Sequence, residues 1–211
     1  MTRDEKKQQT RKSLMDSALL LVGEGENFSN ISLREVAKNA GVVPTAFYRH
    51  FKDMEELGLN LVDELGMMLR KLMRSARQSQ LPAVELARNS VELYVRYVAD
   101  HRTLFLFMSQ CRTGGTPALR SGIRNELGFF ATELATDIRQ ASSLPRIDTQ
   151  DLEIISQLII TAVADTTIDI LDQPENSLQL QELIEKTIKQ LRVIFLGATL
   201  WESARKSSKT N

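Results

Sequence analysis

Residues 32–51 read SLREVAKNAGVVPTAFYRHF. Val36, Ala37 and Ala40 fall at the spacing that gives a short helix one buried side. Gly41 is the residue type that ends a helix by turning left-handed, and Val42 closes the corner before Pro44, which is tolerated at a helix start. The segment therefore predicts two short helices joined by a glycine turn. An ordinary helical hairpin has the same outline, so the second helix decides between the two. At about 3.6 residues per turn, Phe47 and Phe51 share one side, while Thr45, Tyr48, Arg49 and the edge near His50 lie on another. The phenylalanines match an apolar stripe of Leu14, Ala18, Leu21 and Val22 on a preceding helix. Tyr48 and His50 carry groups that hydrogen-bond phosphate oxygens while their rings hold position. A dry side towards the protein and a polar side towards solvent suit a duplex backbone and its major-groove base edges.

Working outward, the 211 residues carry 27 basic and 27 acidic side chains, a formal net charge of +0. No overall field then draws the chain to nucleic acid or to an anionic membrane, and attraction has to be local. Residues 1–12 hold Arg3, Lys6, Lys7, Arg11 and Lys12 against Asp4 and Glu5, whereas residues 148–185 are predominantly acidic. The basic start fits a solubilising arm and a minor-groove or phosphate tether equally well. The single Cys111 excludes an internal disulfide, and the N-terminus is charged where a signal peptide is apolar. Apolar stretches are expected to be broken by charges short of the ~20 residues of a membrane span. A cytoplasmic protein with no membrane partner is the expectation.

Apolar residues recur every three or four positions almost throughout, and no stretch alternates as a strand does. The fold class predicted is all-α, with helices at 5–24, 33–39, 44–50, 54–79, 83–100, 102–111, 117–140, 149–172 and 178–205. Pro44, Pro82, Pro117, Pro145 and Pro174 fall near the breaks. Ser32 with Glu35 and Asp53 with Glu56 have the spacing of capping boxes.

The order of an N-terminal helix, SLREVAKNAGVVPTAFYRHFKDMEEL and a long helical remainder resembles the TetR family of one-component transcriptional regulators, over residues 10–60 in particular. Within that family, SLREVAKNAG, PTAFYRHFKDMEELGL and VDELGMMLRKLMRSAR are most similar to repressors of unsaturated fatty acid synthesis that sense long-chain acyl-CoA. The resemblance implies a nine-helix architecture, with a helix-turn-helix DNA-binding domain at 1–53 and a ligand-binding and dimerisation domain at 54–211. It implies no cofactor, a long-chain acyl-CoA as regulatory ligand and a double-stranded palindromic operator as partner. By the same resemblance Ser32 meets a phosphate, Arg34 reaches a guanine, and Thr45, Tyr48, Arg49 and His50 lie on the recognition helix. Pro44 and Ala46 then offer apolar contact to bases, and Lys52 a phosphate contact. Position 43, often a Ser or Thr cap in the family, is Val43, which puts the register of base contacts in question. Solvated charges remain the plainer account of Arg34 and Lys52, and an acidic neighbour that of Arg49.

Beyond residue 53, Leu57, Leu61, Leu65, Met68, Leu69 and Leu72 give a long helix its buried side, and Arg70, Lys71, Arg74 and Arg77 follow with water as their default partner. Phe105, Met108, Phe129 and Phe130 read either as packed core or as the lining of an elongated apolar pocket. In the second case Arg112, with Arg102, Arg120 and Arg124, is placed to meet an anionic head group, and Gly114–Gly115 makes a loose turn. An acyl-CoA, a free fatty acid and another small apolar effector all fit such a pocket. Ile155, Ile159 and Ala162, and Ile184, Ile188, Leu191 and Phe195, mark faces of the last two helices that are expected to form a homodimer interface. No Gly-rich phosphate loop and no metal-spaced Cys/His set occurs, and the histidines are His50 and His101 alone, so neither a catalytic nor a metal site is predicted. A lipid carrier without DNA function would leave the Tyr48–His50 surface unexplained.

Overall fold

Nine α-helices and no strand occur among the described residues of the computed structural model, which are 2–77, 83–141, 144, 147–174, 177–201 and 203. They are α1 (Arg3–Gly23), α2 (Leu33–Asn39), α3 (Pro44–Phe47), α4 (Met54–Arg77), α5 (Ala83–Asp100), α6 (Arg102–Gly114), α7 (Pro117–Gln140), α8 (Thr149–Asp172) and α9 (Leu178–Leu200). The all-α expectation holds, and Pro44 and Pro117 open their helices as placed. Pro82, Pro145, residues 78–79, the chain beyond 203 and the side chain of Arg77 lie outside the described residues.

The helix starts follow from short polar caps. Ser32 accepts from the Glu35 amide while the Glu35 carboxylate takes the Ser32 amide, a complete capping box. Asp53 likewise accepts from the Glu56 amide at 2.9 Å, but Glu56 reaches one residue further back, to the amide of Lys52. Gly41 takes φ +68° between α2 and α3, the left-handed turn anticipated from its type. The turn at Gly115 is tight where a loose one was expected, since a Cβ there would lie 2.6 Å from the Cys111 carbonyl oxygen.

Helix α3 is shorter than predicted. After Phe47 the chain tightens, with the Arg49 amide on Ala46 and the His50 amide on Phe47, so residues 48–50 form turns rather than α-helix. Val43 supplies no side-chain cap, and four residues lie far below the length at which a helix persists alone. Packing holds it. Phe47 is fully buried with Leu14, Ala18, Val22 and Val36, and burying one such ring contributes about 1.5–3 kcal/mol.

The N-terminal helices sit on α6. Phe28 packs edge-on against Phe107 with centroids 4.7 Å apart, its amide donates to Gln110 Oε1 at 3.0 Å, and Gln110 Nε2 donates to the Glu26 carbonyl at 3.3 Å. The remaining helices pack α4 on α7, α7 on α8, and α8 and α5 on α9. Contrary to expectation, α8 is long and apolar enough to cross a membrane by length and composition alone. Its charges cluster towards its ends, leaving an 18-residue window with two or fewer. One side of that window is core, with Ile155, Ile159 and Ile170 buried, and the other exposes Ile154, Leu158 and Ile168.

Candidate nucleic-acid interface and ligand cavity

The sequence-predicted DNA residues gather on the outer side of α2, α3 and the following turn. Ser32, Arg34, Pro44, Thr45, Tyr48, Arg49 and Lys52 are exposed, while Ala46 and His50 are half-buried. Tyr48 is 60% exposed although its neighbour Phe47 is 0% exposed, so the dry and polar sides of this segment are separated as its spacing demands. None of Arg34, Arg49 and Lys52 forms an ion pair among the described residues. Three exposed cations without an ion pair thus share this short stretch of chain with an exposed tyrosine.

Arg11 belongs to neither reading of the basic start. Its guanidinium donates to the His50 carbonyl at 3.2 Å and to Asn60 Oδ1 on α4, and lies 4.5 Å from the centre of the Phe51 ring. One side chain of α1 therefore fixes the end of the recognition segment to the start of α4. The signal was present in the sequence, because Arg11 continues the buried stripe of Leu14, Ala18 and Val22 by one turn.

His50 sits beneath this clamp with Nδ1 buried and without a hydrogen-bond partner. Burial, then Lys7, Arg11 and Arg49, hold its imidazole below the ordinary 6.5. The folded protein therefore binds fewer protons here than the unfolded chain. This contribution to stability is complete above 6.5 and is lost as pH falls through that value towards the folded one. Melting temperature is expected to drop between about pH 7 and pH 5, and to drop less steeply in His50→Gln. Equal slopes in the two proteins would place the sensitivity elsewhere.

A cavity of 290 Å³ lies between α4, α6, α7 and α8, lined by Leu65, Phe105, Met108, Arg112, Glu126 and Phe130 among others. A second, of 220 Å³, lies between α5, α7, α8 and α9 and is almost wholly apolar. Phe105, Met108, Arg112 and Phe130 thus surround one space, as the pocket reading requires. Phe129 does not: it is 55% exposed, with the Arg70 guanidinium 5.6 Å from its ring centre. Arg102 and Arg120 are also corrected, since their guanidinium groups bond the Leu171 and Gly115 carbonyls and neither lines the cavity. These arginines neutralise free carbonyls where α8 and α6 end. Arg70 and Arg74, expected in water, pair with Glu126 and Glu133 on α7. Burial raises the Glu126 carboxyl, and Arg70 works against that rise. Sequence reasoning missed Glu126 although it shares the buried stripe of Ile123 and Phe130.

The dimer residues need a larger correction. Ile155, Ile159, Ile188 and Leu191 are turned into the protomer's own core, and Phe195 lines the inner cavity. Those four side chains leave little surface for a second copy. Ala162 and Ile184 lie instead along a broad groove of 1330 Å³ between α8 and α9, with Leu158, Leu178 and Val193. Val193 is 69% exposed and Leu196 64%.

A short reading segment anchored on α1, and a cavity whose wall helix α6 also packs on α1 and on the turn at Phe28, fit a one-component DNA-binding regulator. The chain belongs to the TetR family. Residues 17–60 match the bacterial regulatory proteins of the tetR family, and residues 83–197 match the tetracyclin repressor-like C-terminal domain. Proteins of this family are transcriptional regulators rather than enzymes, and they bind DNA operators as dimers.

Solved structures share the fold. The fatty acid degradation regulator FadR from Bacillus halodurans superposes with a TM-score of 0.69 at 17% identity, covering 86% of this chain and 94% of its own. FadR from Bacillus subtilis, in complex with stearoyl-CoA, gives 0.68 at 17%, covering 88% and 98%. A transcriptional regulator from Rhodococcus sp. RHA1 gives 0.65 at 21%, covering 92% and 97%.

Proposed function

We propose that this chain is a cytoplasmic homodimeric repressor that binds a palindromic operator and responds to a long-chain acyl-CoA, controlling unsaturated fatty acid metabolism. The observation that carries the reading is the double contact of α6. Phe107 and Gln110 hold the DNA-reading unit, while Phe105, Met108 and Arg112 of the same helix line the cavity. A ligand that favours one position of α6 thereby favours one spacing of the two recognition segments, and only such a differential shifts the equilibrium. The reading unit spans residues 1–53 and the ligand and dimer unit residues 54–211.

In this proposal Ser32 and Lys52 touch phosphate, Arg34 pairs with guanine, and Pro44, Thr45, Ala46, Tyr48, Arg49 and His50 face the groove. Phe105, Met108, Arg112 and Phe130 receive the effector. The stearoyl-CoA bound by the Bacillus subtilis neighbour and the apolar cavities here support an acyl effector. Binding to genomic fragments, followed by gel shift and titrated with saturated and unsaturated acyl-CoAs of matched length, is the test. Lys52→Ala is expected to reduce the salt dependence by about one phosphate contact, and Arg34→Ala to relax base preference at a cost of ~1–3 kcal/mol. Operator affinity indifferent to every acyl-CoA would end the fatty acid assignment, and unchanged binding by both variants would end the DNA surface.

A further inference from the structure

The two cavities are separated by the same pair of rings. Tyr94 of α5 and Phe130 of α7 line both, and each is buried. The outer cavity holds Arg112, Ser109 and Thr113, with Asp165 and the Arg70-paired Glu126, beside its apolar wall, whereas the inner one runs on between Ala87, Val91, Ile160 and Phe195, with Ser90 and Asp137 as its polar lining. Either alone is small beside the roughly 300–1,000 Å³ usual for a ligand pocket, and the two joined fall within that range.

The partition is held by hydrogen bonds that lead back to Arg112. Thr167 Oγ1 donates to the Ala164 carbonyl at 2.8 Å, so its only proton is committed and Tyr94 must be the donor in the 2.7 Å bond between the two hydroxyls. Burial pushes the Tyr94 phenol up to about 12, which keeps that proton in place at neutral pH. Arg112 donates to the same Ala164 carbonyl at 3.4 Å. The group suited to an anionic end and the group that closes the partition thus meet at one backbone oxygen.

Building on the acyl reading above, we infer that Tyr94, with Phe130, is a gate that sets the chain length this protein accepts. A short acyl chain with its anionic end at Arg112 fits the outer cavity and leaves the gate shut. A long one displaces the Tyr94 ring, breaks its bond to Thr167 and runs on into the inner cavity. Tyr94 therefore measures length, and the inner cavity accepts the end of a chain with no polar group.

Calorimetric titration of the full-length protein with octanoyl-CoA, palmitoyl-CoA, octanoate and palmitate tests this in wild type, Tyr94→Phe and Ala87→Phe. Removing the hydroxyl lowers the cost of opening by one hydrogen bond, so Tyr94→Phe is expected to bind the palmitoyl ligand about fivefold more tightly and the octanoyl ligand unchanged. Ala87→Phe fills the inner cavity and is expected to weaken the palmitoyl ligand by about tenfold or more while sparing the octanoyl one. A length-dependent response in either the acids or the thioesters supports the gate, and the tighter series identifies the anionic end. If wild type binds acyl ligands but Tyr94→Phe shifts both lengths equally or neither, the gate is overturned and the acyl reading stands. If no acyl ligand of either length binds wild type, both fall. Tyr94→Phe conserves shape and carries the decision should Ala87→Phe not fold.

Discussion

Val193→Glu is expected to yield a folded monomer whose operator affinity is lower by about 100-fold or more, the loss that follows when two linked half-site contacts become one. Val193 projects from α9 beside Leu196, and Ile154 and Leu158 project from α8, all more than half exposed on the single chain. In the proposed homodimer this exposed apolar stripe is the face that meets the second copy. A carboxylate there is solvated in the monomer, with Lys189 one turn earlier to receive it, but becomes a desolvated charge in the dimer. Ile188→Glu should behave differently. Ile188 is 4% exposed, and a charge forced into a protomer core costs several kcal/mol, so that variant is expected to lose its fold. Light scattering and thermal melting of the pair decide the matter. Retention of dimer mass by Val193→Glu would move the interface off this face.

Arg11→Ala is expected to weaken operator binding by about tenfold or more while costing ~2 kcal/mol of stability. The substitution removes donors to the His50 carbonyl and to Asn60, and it removes the cation from the face of Phe51. What is lost is the seam between the recognition segment and α4, so the exposed side chains keep their identity and lose their bearing. Arg11→Lys should recover little, since one ammonium cannot replace a planar fork with two targets and a ring. Anisotropy titrations with a labelled operator, beside melting curves, separate positioning from plain charge. If Arg11→Lys binds DNA as wild type does, Arg11 acts only through its charge.

What the sequence made legible divides along the distance between interacting residues. The order of the helices, the Ser32–Glu35 box, the Gly41 turn and the two sides of the recognition segment all rest on interactions within a few residues and are present as read. The last helix, expected to reach 205, instead ends at Leu200 with Trp201 extended. The all-α fold followed from spacing and composition, and Phe105, Met108, Arg112 and Phe130, grouped on the same grounds, line one cavity. Most of the errors are long-range. Apolar positions on α8 and α9 form two stripes each, and spacing alone does not tell which stripe meets the protomer and which a second copy. Ile155 and Ile188, read as interface, are buried within the single chain. Arg102 and Arg120 were counted with Arg112 because arginine type reveals charge, while the carbonyls they cap lie on other turns of the fold. The length of α3 was overestimated because Tyr48 and His50 continue a helical pattern that the uncapped start at Val43 does not sustain.

The brevity of α3 separates what holds the segment from what reads with it. Phe47, Phe51, Val36 and Arg11 fix its place, and none of them stands on its outward face. Thr45, Tyr48 and Arg49 stand there exposed, with Tyr48 edge-on to Phe47 as a ring contact back to the core. Mutational drift on that face is therefore close to free of folding cost. If these side chains read the operator as proposed, a lineage can change the sequence it recognises one side chain at a time, provided the seam beneath stays constant. Addressing is written on a surface that the scaffold does not have to defend.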